Sequence, residues 1–217
     1  MKIPLESAIR LIHETANGTL ATHSLREPGY PFATILPFAA DAGHNPLFLM
    51  SGLAEHTKNL AADPRCSFLV NTAQDGNVQT GARLTLIGNI SPVEADKGLV
   101  ARFLRYHPAT EQYLSLGDFT FYRLEPIKLR YIGGFGQAGW LDQAEWQGAA
   151  ALPLAEEAAI LRELDIQLSG KPRLLGIDCY GVDFESAGKR ERQNFPDPPL
   201  ASNDLPTRAK RLLAALP

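Results

Sequence analysis

Apolar positions Leu5, Ala8, Ile9, Ile12 and Ala16 recur at helical spacing, with Pro4 near the start and Gly18 as a stop, and predict an N-terminal helix. Beyond Gly18 the period shortens. Apolar runs at 18–24, 32–39 and 47–50, separated by turn chemistry at Glu27-Pro28-Gly29 and at 41–46, predict three strands of an antiparallel meander. A short helix is expected within 53–64, where Asp63-Pro64 stops it and returns the chain to the sheet at 66–70. After a polar loop at 72–81, the strand at 83–90 places Arg83, Thr85, Ile87 and Asn89 on one face and Leu84, Leu86 and Ile90 on the other. Leu99, Phe103 and Tyr106 predict a further helix, 109–116 another, and strands are expected at 119–124 and 127–132, joined at Glu125-Pro126.

The pattern changes again after Trp146. An alanine-rich stretch at 148–152 reads as a linker. A helix with Leu154, Ala158, Leu161, Leu164 and Leu168 follows, then strands at 174–179, 182–185 and 190–195, and a last helix carrying Ala209, Leu212, Leu213 and Leu216. The fold class is α+β, because short strands without a βαβ rhythm exclude a nucleotide-binding parallel sheet. The expected organisation is an antiparallel barrel domain at 1–147 and a small C-terminal α/β domain at 153–217 that leans on it for stability.

Composition narrows the partners. The 217 residues carry a formal net charge of −3, which argues against nucleic-acid binding by bulk electrostatics. No apolar run reaches transmembrane length and the first residues lack a signal-peptide pattern, so no membrane partner and a cytoplasmic location are expected. Cys66 and Cys179 are far apart, each in an apolar run, and read as buried free thiols. The basic tail residues Lys189, Arg190, Arg192, Arg208, Lys210 and Arg211 read as a solvated face, as do the adjacent Glu156 and Glu157.

Two stretches carry candidate chemistry. His56, Thr57 and Lys58 fall in the first turns of the helix within 53–64, where free N–H groups and the helix dipole favour an anion such as phosphate. Arg83 opens a later strand, and its guanidinium fork suits phosphate oxygens. Ser51 either caps the helix or bonds the same anion. Gly133-Gly134-Phe135-Gly136-Gln137-Ala138-Gly139-Trp140 allows close backbone approach to a flat object on which Phe135 and Trp140 could stack. It is not a dinucleotide fingerprint, since no βαβ unit surrounds it. His13, His23, His44 and His107 show no metal-ligand spacing, and no nucleophile sits in a GxSxG context, so any difficult chemistry falls to a cofactor.

Gly18-Thr19-Leu20-Ala21-Thr22, Gly29-Tyr30-Pro31-Phe32, Leu53-Ala54-Glu55-His56-Thr57-Lys58-Asn59-Leu60 and Asp63-Pro64-Arg65, in this order, resemble the pyridoxamine 5′-phosphate oxidase-like FMN-binding split-barrel superfamily. Arg83-Leu84-Thr85-Leu86-Ile87-Gly88, Gly134-Phe135-Gly136-Gln137-Ala138 and the tail segment Leu175-Gly176-Ile177-Asp178-Cys179-Tyr180-Gly181-Val182-Asp183 resemble its HugZ-type branch, which includes haem-binding and haem-degrading members. The resemblance implies an antiparallel split β-barrel with flanking helices, a homodimer, and FMN between protomers serving an oxidoreductase that acts on a small-molecule substrate. It makes Ser51, His56, Thr57, Lys58 and Arg83 phosphate candidates, sets Thr34 and Leu36 near the flavin, and brings Gln137 and Trp140 from the partner protomer. Glu55-His56 stands where the vitamin B6 oxidases carry Arg-Lys, so that activity is not implied. The HugZ-type resemblance sets haem binding or degradation as the alternative to FMN; no histidine follows His107, so a tail-supplied haem ligand is absent, which counts against that alternative. A third alternative is a non-enzymatic regulatory or adaptor module.

Overall fold

The computed structural model describes residues 5–72, 80–133, 137–168 and 172–216. Its main layer is an antiparallel sheet curled into a half-barrel. In chain order it comprises β1 (Asn17–His23), β2 (Pro31–Pro37), the short β3 (Ala39–Ala40), β4 (Pro46–Ser51), β5 (Arg65–Asn71), β6 (Arg83–Pro92), β7 (Phe119–Ile132) and β8 (Ala138–Asp142). The spatial order is β2-β1-β5-β6-β7-β4-β3, with β8 also paired to β7. Alternation sends Leu20, Phe68, Leu84, Leu86 and Leu129 into the core, where each is fully buried. Thr19, Ala21, Ser67, Thr85 and Ile87 share the opposite, outer face, as the registers Thr19↔Leu69, Ala21↔Ser67, Ser67↔Ile87 and Leu69↔Thr85 require.

Two helices close the inner side. The helix α1 (Leu5–Glu14) buries Ala8, Ile9, Leu11 and Ile12, the face its spacing predicted. The helix α2 (Glu55–Ala62) joins β4 to β5 and packs on β1 and β2. After β6 comes α3 (Lys97–Tyr106), whose first turn is fixed by Asp96: its Oδ1 accepts the Leu99 N–H at 2.8 Å. Removing that cap in Asp96→Ala is expected to cost about 1 kcal/mol, read as a small drop in the chemical denaturation midpoint. Residues 108–115, expected as an ordinary helix, form a 3₁₀ helix with no buried residue.

The strand β7 corrects a further expectation. Residues 119–124 and 127–132 are one strand, because a bulge absorbs the proline at their junction. Gly88 pairs with Pro126 and Ile87 with Lys128, leaving Ile127 as the extra residue. Gly88 is required for that close approach, since a Cβ there would stand 2.2 Å from the Glu125 carbonyl oxygen.

The stretch after β8 includes a short helix α4 (Gln143–Gln147), which buries Trp146, and then Leu152, also buried. The remaining elements are α5 (Leu154–Gln167), the antiparallel meander β9 (Arg173–Asp178), β10 (Gly181–Ser186) and β11 (Lys189–Asn194), and α6 (Leu205–Ala214). One apolar cluster runs from Phe48, Phe68 and Leu86 through Trp146 and Leu152 to Val182, Phe184 and Leu213. A smaller one joins Phe103 and Phe121 to Leu175. The three-stranded sheet is therefore seated on the half-barrel by a continuous core. Among the described residues, no helix is long and apolar enough to cross a membrane.

Candidate functional site

The start of α2 is built by its neighbours. Ser51, at the end of β4, donates from Oγ to Asp118 Oδ2 at 2.5 Å and accepts the Leu53 N–H at 3.1 Å. That hydroxyl pins the turn to the start of β7. Ala54 occupies the N-cap and supplies no side-chain acceptor. Thr57 is 5 % exposed, yet its Oγ1 has no hydrogen-bond partner, and the buried His56 Nε2 has none either. Burial lowers the His56 pKa, so its ring is neutral near pH 7. Lys58 points to solvent. The helix is anchored by Asn59, which donates from Nδ2 to Thr22 Oγ1 at 3.0 Å and accepts the Leu25 N–H at 3.0 Å. Asn59 is fully buried inside this short helix, an anchor the sequence reading did not single out.

Arg83 lies elsewhere. It opens β6 opposite Asn71 and Ile132, whereas α2 feeds the Arg65 end of β5. Those ends are separated by the length of β5, about 20 Å. Arg83 keeps company with the β8 end instead, where Gln137 accepts the Gly133 N–H at 2.7 Å through its backbone carbonyl. There too the half-exposed Trp140 lies under the Arg130 guanidinium, 5.3 Å from its ring centre. Thr34 and Leu36 pair with Leu20 and Gly18 on the inner side of β2 and are partly covered. Within one chain, then, Ser51, His56, Thr57 and Lys58 are together, Arg83, Gln137 and Trp140 are together, and the two groups are apart. Gly134, Phe135 and Gly136 lie outside the described residues.

On the outer face, a cleft of about 410 Å³ runs between β1, β2, β5 and β6 and is lined by Ala21, His23, Pro31, Arg65, Cys66 and Ile87, among others. Arg65 is clamped to Asp63, Nε at 2.9 Å and Nη2 at 2.5 Å, and this pairing holds the Asp63 carboxyl well below the usual carboxylate range. Burial pushes the Cys66 thiol up to about 12, so it stays protonated. Exposed apolar side chains continue across the same sheet: Ile35 is 73 % exposed and Trp140 50 %.

The described residues also contain buried charges that the sequence reading placed in solvent. Arg192, expected on a solvated face, is buried and donates from Nη2 to both oxygens of Asp178 (2.8 and 2.9 Å) and from Nη1 to Asp183 Oδ1 at 2.6 Å. Glu157, also expected in solvent, is 1 % exposed and pairs with Arg102 and, at 2.9 Å, with Arg105. The β9–β10 meander brings Asp178 and Asp183 under α1, and α5 brings Glu157 against α3. Asp183 accepts from the Tyr106 hydroxyl at 2.6 Å. Burial works to raise both aspartates, but the adjacent Arg192 and His13 outweigh it and hold them below the usual range.

The fold also joins two histidines that lack ligand spacing in the sequence. His44 Nε2 faces the Ala150 carbonyl at 3.1 Å and therefore carries hydrogen. Burial drives the His44 pKa down to about 4, so the neutral ring presents a lone pair at Nδ1. His13 Nε2 donates to it at 3.0 Å, while His13 Nδ1 faces the Asp183 carboxylate at 2.9 Å. Both His13 nitrogens thus carry hydrogen, and His13 with Arg192 balances Asp178 and Asp183. His13, His44 and Asp178 bring ligand atoms within 4.8 Å of one another, a metal-like grouping. Every one of those atoms is spent in the hydrogen-bonded network, with a guanidinium already on Asp178. The arrangement is a structural clasp.

A family model described as CREG, beta-barrel matches residues 5–148. The chain belongs to the CREG β-barrel family. Among its relatives, HOZ, a chloroplastic haem oxygenase of Arabidopsis thaliana, is 37 % identical over 161 residues, which cover 71 % of this chain and 49 % of that protein. The chain thus spans about half the length of that relative. The haem oxygenase HutZ of Vibrio cholerae is 28 % identical over 127 residues, 55 % of this chain and 72 % of HutZ. A solved haem-binding protein from Mycobacterium smegmatis is 25 % identical with a TM-score of 0.64, covering 99 % of this chain and 98 % of its own. That likeness extends through the C-terminal sheet, and the half-barrel with flanking helices is the split-barrel fold.

Proposed function

We propose that this CREG-family chain binds haem, with haem degradation as its activity. The observation that carries the reading is the likeness along the whole chain to a haem-binding protein, together with two relatives named as haem oxygenases. The comparisons name haem and not flavin, so the haem alternative takes the place of FMN as the main reading. The donor set fits. Haem iron takes an imidazole nitrogen, and the five histidines divide clearly. His13 and His44 spend both nitrogens internally, and His107 Nε2 is bonded to the Phe38 carbonyl at 2.6 Å. His23 is exposed, and His56 Nε2 is outside any hydrogen bond. Bound haem would supply the iron at which oxygen chemistry occurs; the protein supplies the ligand, the apolar surface and the cation for a propionate. Adding haemin to the purified protein is expected to give a shifted, saturable Soret band; the spectrum of free haemin at all ratios overturns the reading.

One observation keeps FMN as a second reading. The Thr57 hydroxyl is buried and unpartnered at an uncapped helix start, a place suited to a phosphate. A homodimer belongs to both readings, because the separation of Arg83, Gln137 and Trp140 from the α2 group leaves a second copy as the means of joining them. The exposed apolar residues of the outer sheet face support that arrangement.

A further inference from the structure

We propose that His23 is the protein ligand to haem iron, with the macrocycle laid on the outer-face cleft between β1, β2, β5 and β6. The inference rests on the haem reading and assigns its residues. A flat, mostly apolar group with a metal at its centre and carboxylates at one edge asks for three things: a flat apolar floor, a nitrogen above it, and a cation at the rim. The cleft has all three. Alternation on neighbouring strands puts Ala21, Ser67 and Ile87 along its floor, and a sheet face is flat where a helix surface is ridged. Its volume of about 410 Å³ lies within the range of small-molecule and cofactor pockets.

His23 stands at one end, as the last residue of β1, opposite Pro31 in the β1–β2 register. It is exposed, so its imidazole reaches the cleft without displacing any element. His56 is the competing ligand, and its burial decides against it. Its Nε2 is sealed from solvent, so iron would meet it only if α2 moved. The anchor of Asn59 on Thr22 and Leu25 holds that helix in place. Cys66 is no rival, since a thiol pushed up to about 12 offers no thiolate at neutral pH.

Arg65 completes the set. Its Nε and Nη2 are paired with Asp63, which fixes the guanidinium at the rim and leaves Nη1 outside that pair for a propionate oxygen.

The test is a haemin titration of the full chain and of His23→Ala, followed by absorbance and by electron paramagnetic resonance. In the variant, loss of the imidazole-ligated signature and at least tenfold weaker haemin binding are expected, with millimolar imidazole restoring the wild-type Soret position. The substitution is at an exposed position, and circular dichroism checks that the variant is folded. If wild-type protein binds haemin and His23→Ala gives the same spectrum and affinity, the ligand assignment falls while the haem reading stands. If His56→Ala, and not His23→Ala, abolishes the signature, the assignment also falls. If wild-type protein leaves the haemin spectrum unchanged, both fall together.

Discussion

Replacing Arg192 by leucine is expected to cost the fold about 3–5 kcal/mol, the largest effect of any single change considered. The reason lies in the balance of the clasp. Asp178 and Asp183 are buried, and Arg192 reaches both, with three hydrogen bonds between 2.6 and 2.9 Å. Leucine fills part of the volume but leaves two carboxylates facing one imidazolium. The remaining charge is uncompensated in a site without water access, which is where losing one partner costs most. Lysine at the same position restores the charge, but its single Nζ cannot serve Asp178 and Asp183 together as the two Nη nitrogens do, so an intermediate loss is expected. Urea denaturation of the three proteins measures this directly. A loss below about 1 kcal/mol in Arg192→Leu, within the range of ordinary surface substitutions, would show that the clasp does not hold the sheet to the barrel.

Acid is expected to weaken the protein well before its carboxylates titrate. His44 has a folded-state pKa near 4 against an ordinary value of 6.5, with burial as the main cause. The unfolded chain therefore takes up a proton at a pH where the folded chain does not, and stability rises with pH through that interval. The contribution is fully present above pH 6.5 and is lost progressively as pH falls towards 4, amounting to about 3 kcal/mol. His107, also lowered to about 4 chiefly by burial, adds to the loss with the same sign. Asp178 and Asp183 act later, since acids held below their ordinary range lose their stabilising contribution only as pH falls below that range. Denaturant midpoints at pH 7 and pH 4.5 measure the slope. His44→Asn is the informative variant because His44 has φ of +66°, a conformation asparagine tolerates. Its curve is expected to be flatter across this interval; a slope equal to the wild-type slope would assign the acid sensitivity elsewhere.

Most of the order of helices and strands was legible because it is written in local periodicity, whereas β8 and α4 were not, being too short and too close to the glycine-rich stretch to show a period. The face of β6 bearing Arg83, Thr85 and Ile87 followed from alternation alone. The single strand β7 was not legible, since Pro126 looks like a break until Gly88 on the neighbouring strand supplies a bulge for it. The clasp was hidden for a different reason. Asp183 and His13 are 170 residues apart, and nothing near either one in sequence reveals the other. Apolar neighbours were a partial signal: Asp178 follows Leu174, Leu175 and Ile177, and an acid inside such a run is a buried acid in search of a cation. Arg192 carried no comparable mark, being set among other charged residues, whereas Glu157 shares the helical spacing of Ile160, Leu161 and Leu164 and so lay on the apolar face of α5. At the candidate site, the residue types were legible, but their division between two ends of the sheet depends on the register of β5 with β6.

The edge of the half-barrel bears on how two copies can meet. The strand β2 ends the sheet, and it begins and finishes with proline, at Pro31 and Pro37. Proline has no N–H to offer, so an incoming strand would find no donor at either end of this border. Ribbon-like growth by adding strand to strand is thereby discouraged. The apolar surface left to cover lies broadside, on the face that carries Ile35 and Ile87, and contact through that face brings the His23 cleft under a roof instead of leaving it at the margin.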